Sequence, residues 1–259
     1  MHDAIVQKAN TLVSFGGPYS NHLVALAYAA KINNLKSIGF IRATPNDLLT
    51  PSLQEAIKYG MQLEFTGRNH FQKIKTDLLQ PLQVEKSNHF YDKKKGFYYI
   101  DEGGYGVLGA KGAASILNNS CKEFDTIIAA VGTGTMLSGL INAAEPYQTV
   151  IGIPVLKNEF SIESEIKKLL LNHKKQFKLF PNFHEGGYAK INARLLDFMN
   201  DFWLKEKIPT DIVYTGKLLM AVESLLKEKY FKPGSKILVI HSGGLQGNRS
   251  LESGKLIFN

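Results

Sequence analysis

The feature that most constrains this chain is a regular alternation of short β-rich runs with longer helix-period segments. Runs rich in β-branched and aromatic residues fall at 11–15, 37–41, 61–65, 96–100, 124–131, 149–153 and 236–241. Helical spacing of apolar residues follows most of them, at 21–32, 51–59, 109–118, 135–144 and 161–170. Such alternation predicts an α/β fold built on parallel strands. Thr50-Pro51 reads as a helix start, because proline is pre-set for the first helical turn. No internal repeat or low-complexity segment is seen. The 259 residues allow one large domain or two modest ones. Residues 81–96 are polar and lysine-rich and separate two groups of strands. We therefore expect a smaller α/β domain over 1–100 and a larger one over 101–259. A ligand is expected between them, at the carboxyl ends of the strands.

Charge and cysteine usage narrow the function classes. The formal charge of +8 comes from 31 basic and 23 acidic residues. The lysines are scattered, with Lys93-Lys94-Lys95 the longest run, and no nucleic-acid motif accompanies them. A solvated basic surface that favours anionic ligands is the better reading, and no nucleic-acid partner is expected. The single cysteine, Cys121, rules out an intramolecular disulfide framework and reads as a packing residue ahead of the strand near Phe124. No apolar run reaches the ~18 residues of a membrane span, and the opening MHDAIVQKAN lacks the order of a signal peptide. A cytoplasmic protein without membrane contact is the expectation.

Several glycine-rich loops fall at strand ends or helix starts. In Gly16-Gly17-Pro18-Tyr19-Ser20-Asn21-His22, Ser20 and Asn21 stand where the amides of a helix N-terminus point at an anion; Ser20 equally fits a plain N-cap. After the apolar run 126–131 comes Gly132-Thr133-Gly134-Thr135, whose small residues bare backbone amides beside two hydroxyls. That arrangement suits a phosphate, or a tight turn. No Gly-Lys-Ser/Thr follows, so this is no phosphoryl-transfer loop, and Leu137 stands where a dinucleotide fingerprint needs its third glycine. Tyr188, after Glu185-Gly186-Gly187, and Tyr214, before Thr215-Gly216-Lys217, are candidate acid–base hydroxyls or half-buried packing residues. His241-Ser242-Gly243-Gly244 ends the last strand; His241 reads as packing, since its neighbours lack metal-ligand spacing, and no metal is expected.

Taken in order, Gly16 to His22, Glu102-Gly103-Gly104, the loop from Gly132 to Gly139, Tyr214 to Lys217 and His241 to Gly244 resemble one family. It is the 1-aminocyclopropane-1-carboxylate deaminase and D-cysteine desulfhydrase family of pyridoxal-phosphate enzymes, of the tryptophan-synthase-β fold type (fold type II). The resemblance covers essentially the whole chain. It implies a two-domain open-sheet fold, pyridoxal 5'-phosphate as cofactor, a small amino-acid substrate and a homodimer. By position it makes Ser20 the nucleophilic or proton-handling hydroxyl. With Asn21 and His22, Ser20 would hold the substrate carboxylate, and Asn21 would also touch the cofactor's phenolic oxygen. Gly132, Thr133, Gly134 and Thr135 match the phosphate cup, Tyr214 and Tyr188 the substrate face, Thr215 the contact to the pyridine nitrogen, and Ser242 a further cofactor contact. The cofactor is the electron sink, and the protein supplies orientation and charge tuning.

Two departures separate the branches that the family contains. Cyclopropane deaminases resemble one another in placing Glu where this chain has Thr215, and an apolar residue where it has Ser242. A neutral hydroxyl implies a weaker electron sink, adequate for expelling a thiol from a β-carbon. The resemblance then implies β-elimination on a small (D-)amino acid such as D-cysteine, giving pyruvate and ammonia. The family also resembles itself in a Gly-Asn-Lys motif well ahead of the Ser-Asn-His loop, whose lysine forms the Schiff base with the cofactor. Nineteen residues precede Ser20 and hold no such motif, and Lys8 lies too close to Ser20 to replace it. The expectation is an N-terminally shortened chain, impaired by loss of the Schiff-base lysine. The alternative is a truncated noncatalytic binder of pyridoxal phosphate or an amino acid.

Overall fold

The computed structural model describes residues 1–45, 49–79, 89–157, 161–172 and 176–258. The chain divides into two compact units, Met1–Leu108 and Gly109–Asn259. The first holds a five-stranded sheet. Its central strand β1 (Thr11–Gly16) pairs in parallel with β2 (Lys36–Ile41) on one side and β5 (Phe97–Ile100) on the other. Beyond β2 lies the parallel β3 (Met61–Phe65), and beyond β5 the antiparallel β4 (His89–Asp92). Every residue of β1 is buried, as a central parallel strand covered on both faces must be. Alternate side chains feed two cores: Leu12 joins Leu23, Ala27, Ile41 and Tyr98, while Val13 and Phe15 join Phe71 and Tyr99. The covering helices are α1 (His2–Val6), α2 (Asn21–Ile32), α3 (Pro51–Lys58) and α4 (Gly67–Leu79).

The second unit repeats the logic with four parallel strands. Here β6 (Thr126–Val131) lies between β7 (Thr149–Pro154) and β9 (Ile237–Val239), with β8 (Phe177–Leu179) outside β7. Ile127, Ala129 and Val131 face α6 (Thr135–Ala143) and α7 (Ile162–Lys168). Ile128 and Ala130 face α9 (Thr215–Lys227). Helix α8 (Ala193–Glu206) packs on α9, and α5 (Val107–Ala114) lies against α6. That approach is close: a Cβ on Gly139 would stand 2.4 Å from the Ala110 carbonyl oxygen.

Three sequence expectations are corrected. The described part of the lysine-rich stretch is no separator, because 89–96 form β4 and a hairpin turn within the first sheet. The Asp92 carboxylate accepts the Lys94 and Lys95 amides at 3.0 and 3.3 Å, and Gly96 supplies φ +71°. Residues 81–88 of that stretch lie outside the described residues. The helix expected over 109–118 stops at Ala114, since the Asn118 side chain caps a 3-10 turn at Asn119–Glu123 instead. Cys121 sits half-buried in that turn, outside the core. The short β8 and the helices α1, α4, α8 and α9 are further elements that the alternation left out.

Candidate functional site

In the first unit the chain leaves β1 through Gly16 and turns back at once into α2. A Cβ on Gly16 would stand 2.8 Å from Ser20 Oγ and 2.9 Å from Leu23 Cδ1, so only glycine lets the loop fold this tightly. The Ser20 amide donates to the Gly17 carbonyl at 3.1 Å, and the Thr50 hydroxyl, which also caps α3, donates to the Pro18 carbonyl. Ser20 is the N-cap of α2, accepting the Leu23 amide at 3.3 Å. Its own O–H proton is not consumed by that bond. Next along α2, His22 Nε2 lies 2.7 Å from Ser14 Oγ, and Ser14 Oγ donates to the Ile100 carbonyl at 2.8 Å. Serine has one proton, so the His22 Nε2–H must be the donor to Ser14. Ser14 thereby fixes the imidazole tautomer and ring orientation. The other ring nitrogen lies toward Gly104, where a Cβ would stand 3.6 Å from it. The Glu102–Gly104 turn that brings this glycine there is held by ion pairs Lys75–Asp101 at 2.5 Å and Arg42–Glu102 at 3.5 Å.

In the second unit the loops at the carboxyl ends of β6 and β9 and the N-terminus of α9 share one end of the sheet. Gly134, at φ +88°, is the N-cap of α6 and offers no side chain to its first amides. The hydroxyls of Thr133 and Thr135 stand 3.0 Å apart. Two hydroxyls, uncapped helix amides and no acidic side chain within 132–135 make a donor set that fits a phosphate dianion. Gly132 lies beside Tyr214: a Cβ there would be 3.5 Å from Tyr214 Cε1. Tyr214 in turn meets Tyr188 edge-on, with ring centroids 6.3 Å apart at 71°. The structure therefore brings the cup and both tyrosines into one chain of neighbours. Ser242 is exposed after β9 at the same end of the sheet. His241 is a structural residue, its Nε2–H donating to the Pro209 carbonyl at 2.8 Å while Nδ1 accepts the Gly243 amide at 3.3 Å. Among the described residues no cluster of His, Cys, Asp and Glu could hold a metal ion.

Thr215 departs from its expected place. It is fully buried, and its hydroxyl donates to Asp211 Oδ1 at 2.7 Å while accepting the Asp211 amide at 2.7 Å. The hydroxyl expected to meet the pyridine nitrogen is instead turned inward, because the buried Asp211 carboxylate draws it. That carboxylate also accepts the amides of Val213, Tyr214 and Thr215 at 2.8, 3.0 and 2.7 Å, so it builds the turn that presents Tyr214. Burial pushes the Asp211 carboxyl above the usual range, against the pull of those Thr215, Tyr214 and Val213 donors. Two residues on, Lys217 is fully buried and donates to the Gly187 carbonyl at 2.6 Å. Burial pushes its pKa down to about 8, with the carboxylates of Glu185 and Asp211 opposing the shift. Sequence reasoning assigned no role to Asp211, Lys217 or Ser14. The one available signal was Asp211 standing four residues ahead of Thr215 at a helix start.

A sheet end with an uncapped helix N-terminus, two hydroxyls and tyrosines beside it is an arrangement that suits the phosphate of an anionic cofactor in an α/β protein. The model of the family "Pyridoxal-phosphate dependent enzyme" matches residues 2–243, and the chain belongs to that family. Within it, the chain is similar to the putative 1-aminocyclopropane-1-carboxylate deaminase of Thermotoga maritima, with 26% identity over 264 residues, covering 95% of this chain and 81% of that one. It is also similar to the mitochondrial bifunctional D-cysteine desulfhydrase/1-aminocyclopropane-1-carboxylate deaminase of Arabidopsis thaliana, at 26% identity over 275 residues, covering 95% and 67%. The crystal structure of an ACC deaminase homologue superposes with a TM-score of 0.77 at 23% identity, covering 95% of this chain and 77% of that one. That likeness shows the two-domain, parallel-sheet fold of pyridoxal-phosphate enzymes. Among the described residues no helix is long and apolar enough to cross a membrane.

Proposed function

We propose that this chain is a pyridoxal-phosphate-dependent lyase of the kind that eliminates the β-substituent of a small (D-)amino acid, its turnover impaired by loss of the Schiff-base lysine. D-Cysteine and one water would yield hydrogen sulfide, pyruvate and ammonia. The observation that carries the reading is the cup at 132–135 set beside Tyr214, with Tyr188 against it. Gly132, Thr133, Gly134 and Thr135 would hold the cofactor phosphate on the α6 amides and the two threonine hydroxyls. Bound pyridoxal phosphate would supply an electron sink for the substrate's α-carbon. Tyr214 and Tyr188 would face the substrate, where a phenolic hydroxyl can hold or move a proton. Ser242 would lie near the cofactor from the end of β9. In the first unit, Ser20, Asn21 and His22 would bind the substrate carboxylate at the α2 N-terminus, where backbone amides favour an anion.

Elimination of a thiol is preferred over ring opening because position 215 carries a neutral side chain. A Thr buried against Asp211 cannot deepen the cofactor's sink as a carboxylate at that position would. A good leaving group needs less. The test is incubation of the purified chain with pyridoxal phosphate and D-cysteine, L-cysteine or 1-aminocyclopropane-1-carboxylate, following sulfide, 2-oxo acid and ammonia. The expected result is sulfide and pyruvate in equal amounts from D-cysteine, formed slowly because the 259 residues hold no Gly-Asn-Lys lysine to make the Schiff base. Ring opening at a comparable rate would overturn the substrate reading, and cofactor binding without turnover of any amino acid would make the chain a binder.

A further inference from the structure

The turn carrying Tyr188 has an unfavourable backbone. Glu185 (φ +48°), Gly186 (φ +92°), Gly187 (φ +113°) and Ala189 (φ +52°) all lie in the left-handed region, two of them with a Cβ. Such a run persists only where its surroundings hold it. Most of its ties are local. The Gly187 amide donates to the His184 carbonyl at 3.0 Å, the Gly186 amide to His184 Nδ1 at 3.0 Å, and the Lys190 amide to the Gly187 carbonyl at 3.1 Å. Asn192 Nδ2 donates to Glu185 Oε2 at 2.8 Å, and Arg194 lies 3.6 Å from Glu185.

Lys217 supplies a tie of another kind. Its ammonium reaches from α9 to the same Gly187 carbonyl at 2.6 Å, thirty residues away in sequence. Gly187 adjoins Tyr188, and α9 begins directly after Tyr214. One buried bond therefore couples the backbones that present the two edge-on tyrosines. The ammonium is fully buried, and the nearby Glu185 and Asp211 carboxylates balance its charge, Glu185 with a side chain only 8% exposed. A buried charge is expensive, and an apolar side chain of similar length would fill this space without that cost. Its presence therefore calls for a role that packing alone does not give.

We propose that Lys217 is a positioning residue whose ammonium clamps the Gly187 carbonyl and so holds the Tyr188 ring edge-on against Tyr214. The functional half of this inference rests on the reading above, in which both tyrosines face substrate. The clamp itself does not. Its readout is amide hydrogen exchange on the full chain, with and without pyridoxal phosphate, in Lys217→Met and Lys217→Gln. In Lys217→Met, exchange across 184–190 should rise about tenfold or more, with β6 and β7 amides unchanged. Lys217→Gln, which keeps an N–H donor, should fall between that variant and wild type, and it stands in if the methionine variant does not fold. In turnover, Lys217→Met should lower kcat about as much as Tyr188→Phe, and the double variant should be no slower than the slower single. Unchanged exchange at 184–190, a rise spread evenly over the second unit, or multiplying kcat losses in the double variant would each overturn the proposal. If Tyr188→Phe leaves kcat intact while exchange at 184–190 still rises, the clamp stands and the placing of Tyr188 at the substrate is refuted.

Discussion

Gly134→Ala is the sharpest test of the cup, because its neighbour Gly132 provides an internal control. Gly134 sits at φ +88°, and placing an L side chain in the left-handed region costs about 1–2 kcal/mol. A Cβ there would also stand 2.8 Å from Ile166 Cγ1. Ile166 is fully buried, so relief means repacking the core between α6 and α7, at about 1–3 kcal/mol. Stiffening the unfolded chain returns about 0.4–1 kcal/mol. The net destabilisation is then about 1–5 kcal/mol, a shift of roughly 0.5–2.5 M in a urea midpoint at a slope of about 2 kcal/mol/M. Gly132→Ala meets only ordinary contact, 3.5 Å from Tyr214 Cε1, and needs no left-handed backbone. It should stay within about 0.5 kcal/mol of wild type, as unstrained substitutions do. The assay is urea unfolding followed by fluorescence of Trp203, the only tryptophan, which sits on α8 and so reports the second unit. Equal midpoints for the two variants would refute the strain argument. So would a Gly134→Ala defect that Ile166→Ala fails to relieve at all in a double-mutant cycle.

Three further outcomes are expected. Because burial lowers the folded-state pKa of Lys217 to about 8 while the unfolded side chain titrates near ~10.4, the unfolded state binds more protons between those values. Wild-type stability should therefore rise with pH through that window relative to Lys217→Met; denaturant titrations showing a pH-independent difference would contradict it. Ser14→Ala removes the acceptor for the His22 Nε2–H and the donor to the Ile100 carbonyl; KM for an amino-acid substrate should rise about 5- to 30-fold, the equivalent of ~1–2 kcal/mol, with kcat less affected in steady-state assays. Ser20→Ala should cost about 1 kcal/mol of stability through the lost N-cap and weaken carboxylate binding; unchanged turnover with the stability loss present would reduce Ser20 to a cap.

The legible part of this molecule was its periodic part. The apolar runs at β1 and β6 are buried along their whole length, and a run that long and that apolar has few other uses. Helix α2 begins and ends where its spacing says, because Ser20 caps it at once. The strand β4 was hidden by its lysines, which belong to a turn organised by the Asp92 side chain rather than to a linker. The glycine loops were visible because a missing Cβ is itself a signal. At Gly16, Gly134 and Gly139 the structure supplies the atom that a Cβ would strike. Local pattern does not say which way a polar side chain turns. Thr215 reads as a hydroxyl at a helix start and proves to close on Asp211. Lys217 enters the sequence reading only as the end of the Tyr214 to Lys217 segment and proves to be fully buried. Both outcomes depend on partners that meet only after folding.

The polar groups of the second unit follow a single logic. Asp211 collects the amides of Val213, Tyr214 and Thr215, which the start of α9 would otherwise leave unsatisfied. With its charge placed there, a compensating cation near the same helix start costs less, and Lys217 carries it to the Gly187 carbonyl. Gly216 lies between them because a Cβ would stand 2.9 Å from both the Asp211 carbonyl oxygen and Met199 Sδ. Each buried charge is thus spent on backbone that presents a tyrosine, and neither is spent inside the cup. The cup relies on amides and neutral hydroxyls, whose donor strength does not change with pH near neutrality. In the proposed function, anchoring an anion and orienting the tyrosines would therefore fall to separate sets of residues. A substitution at 215 or 217 should alter how the tyrosines meet a substrate without removing the groups that hold a phosphate.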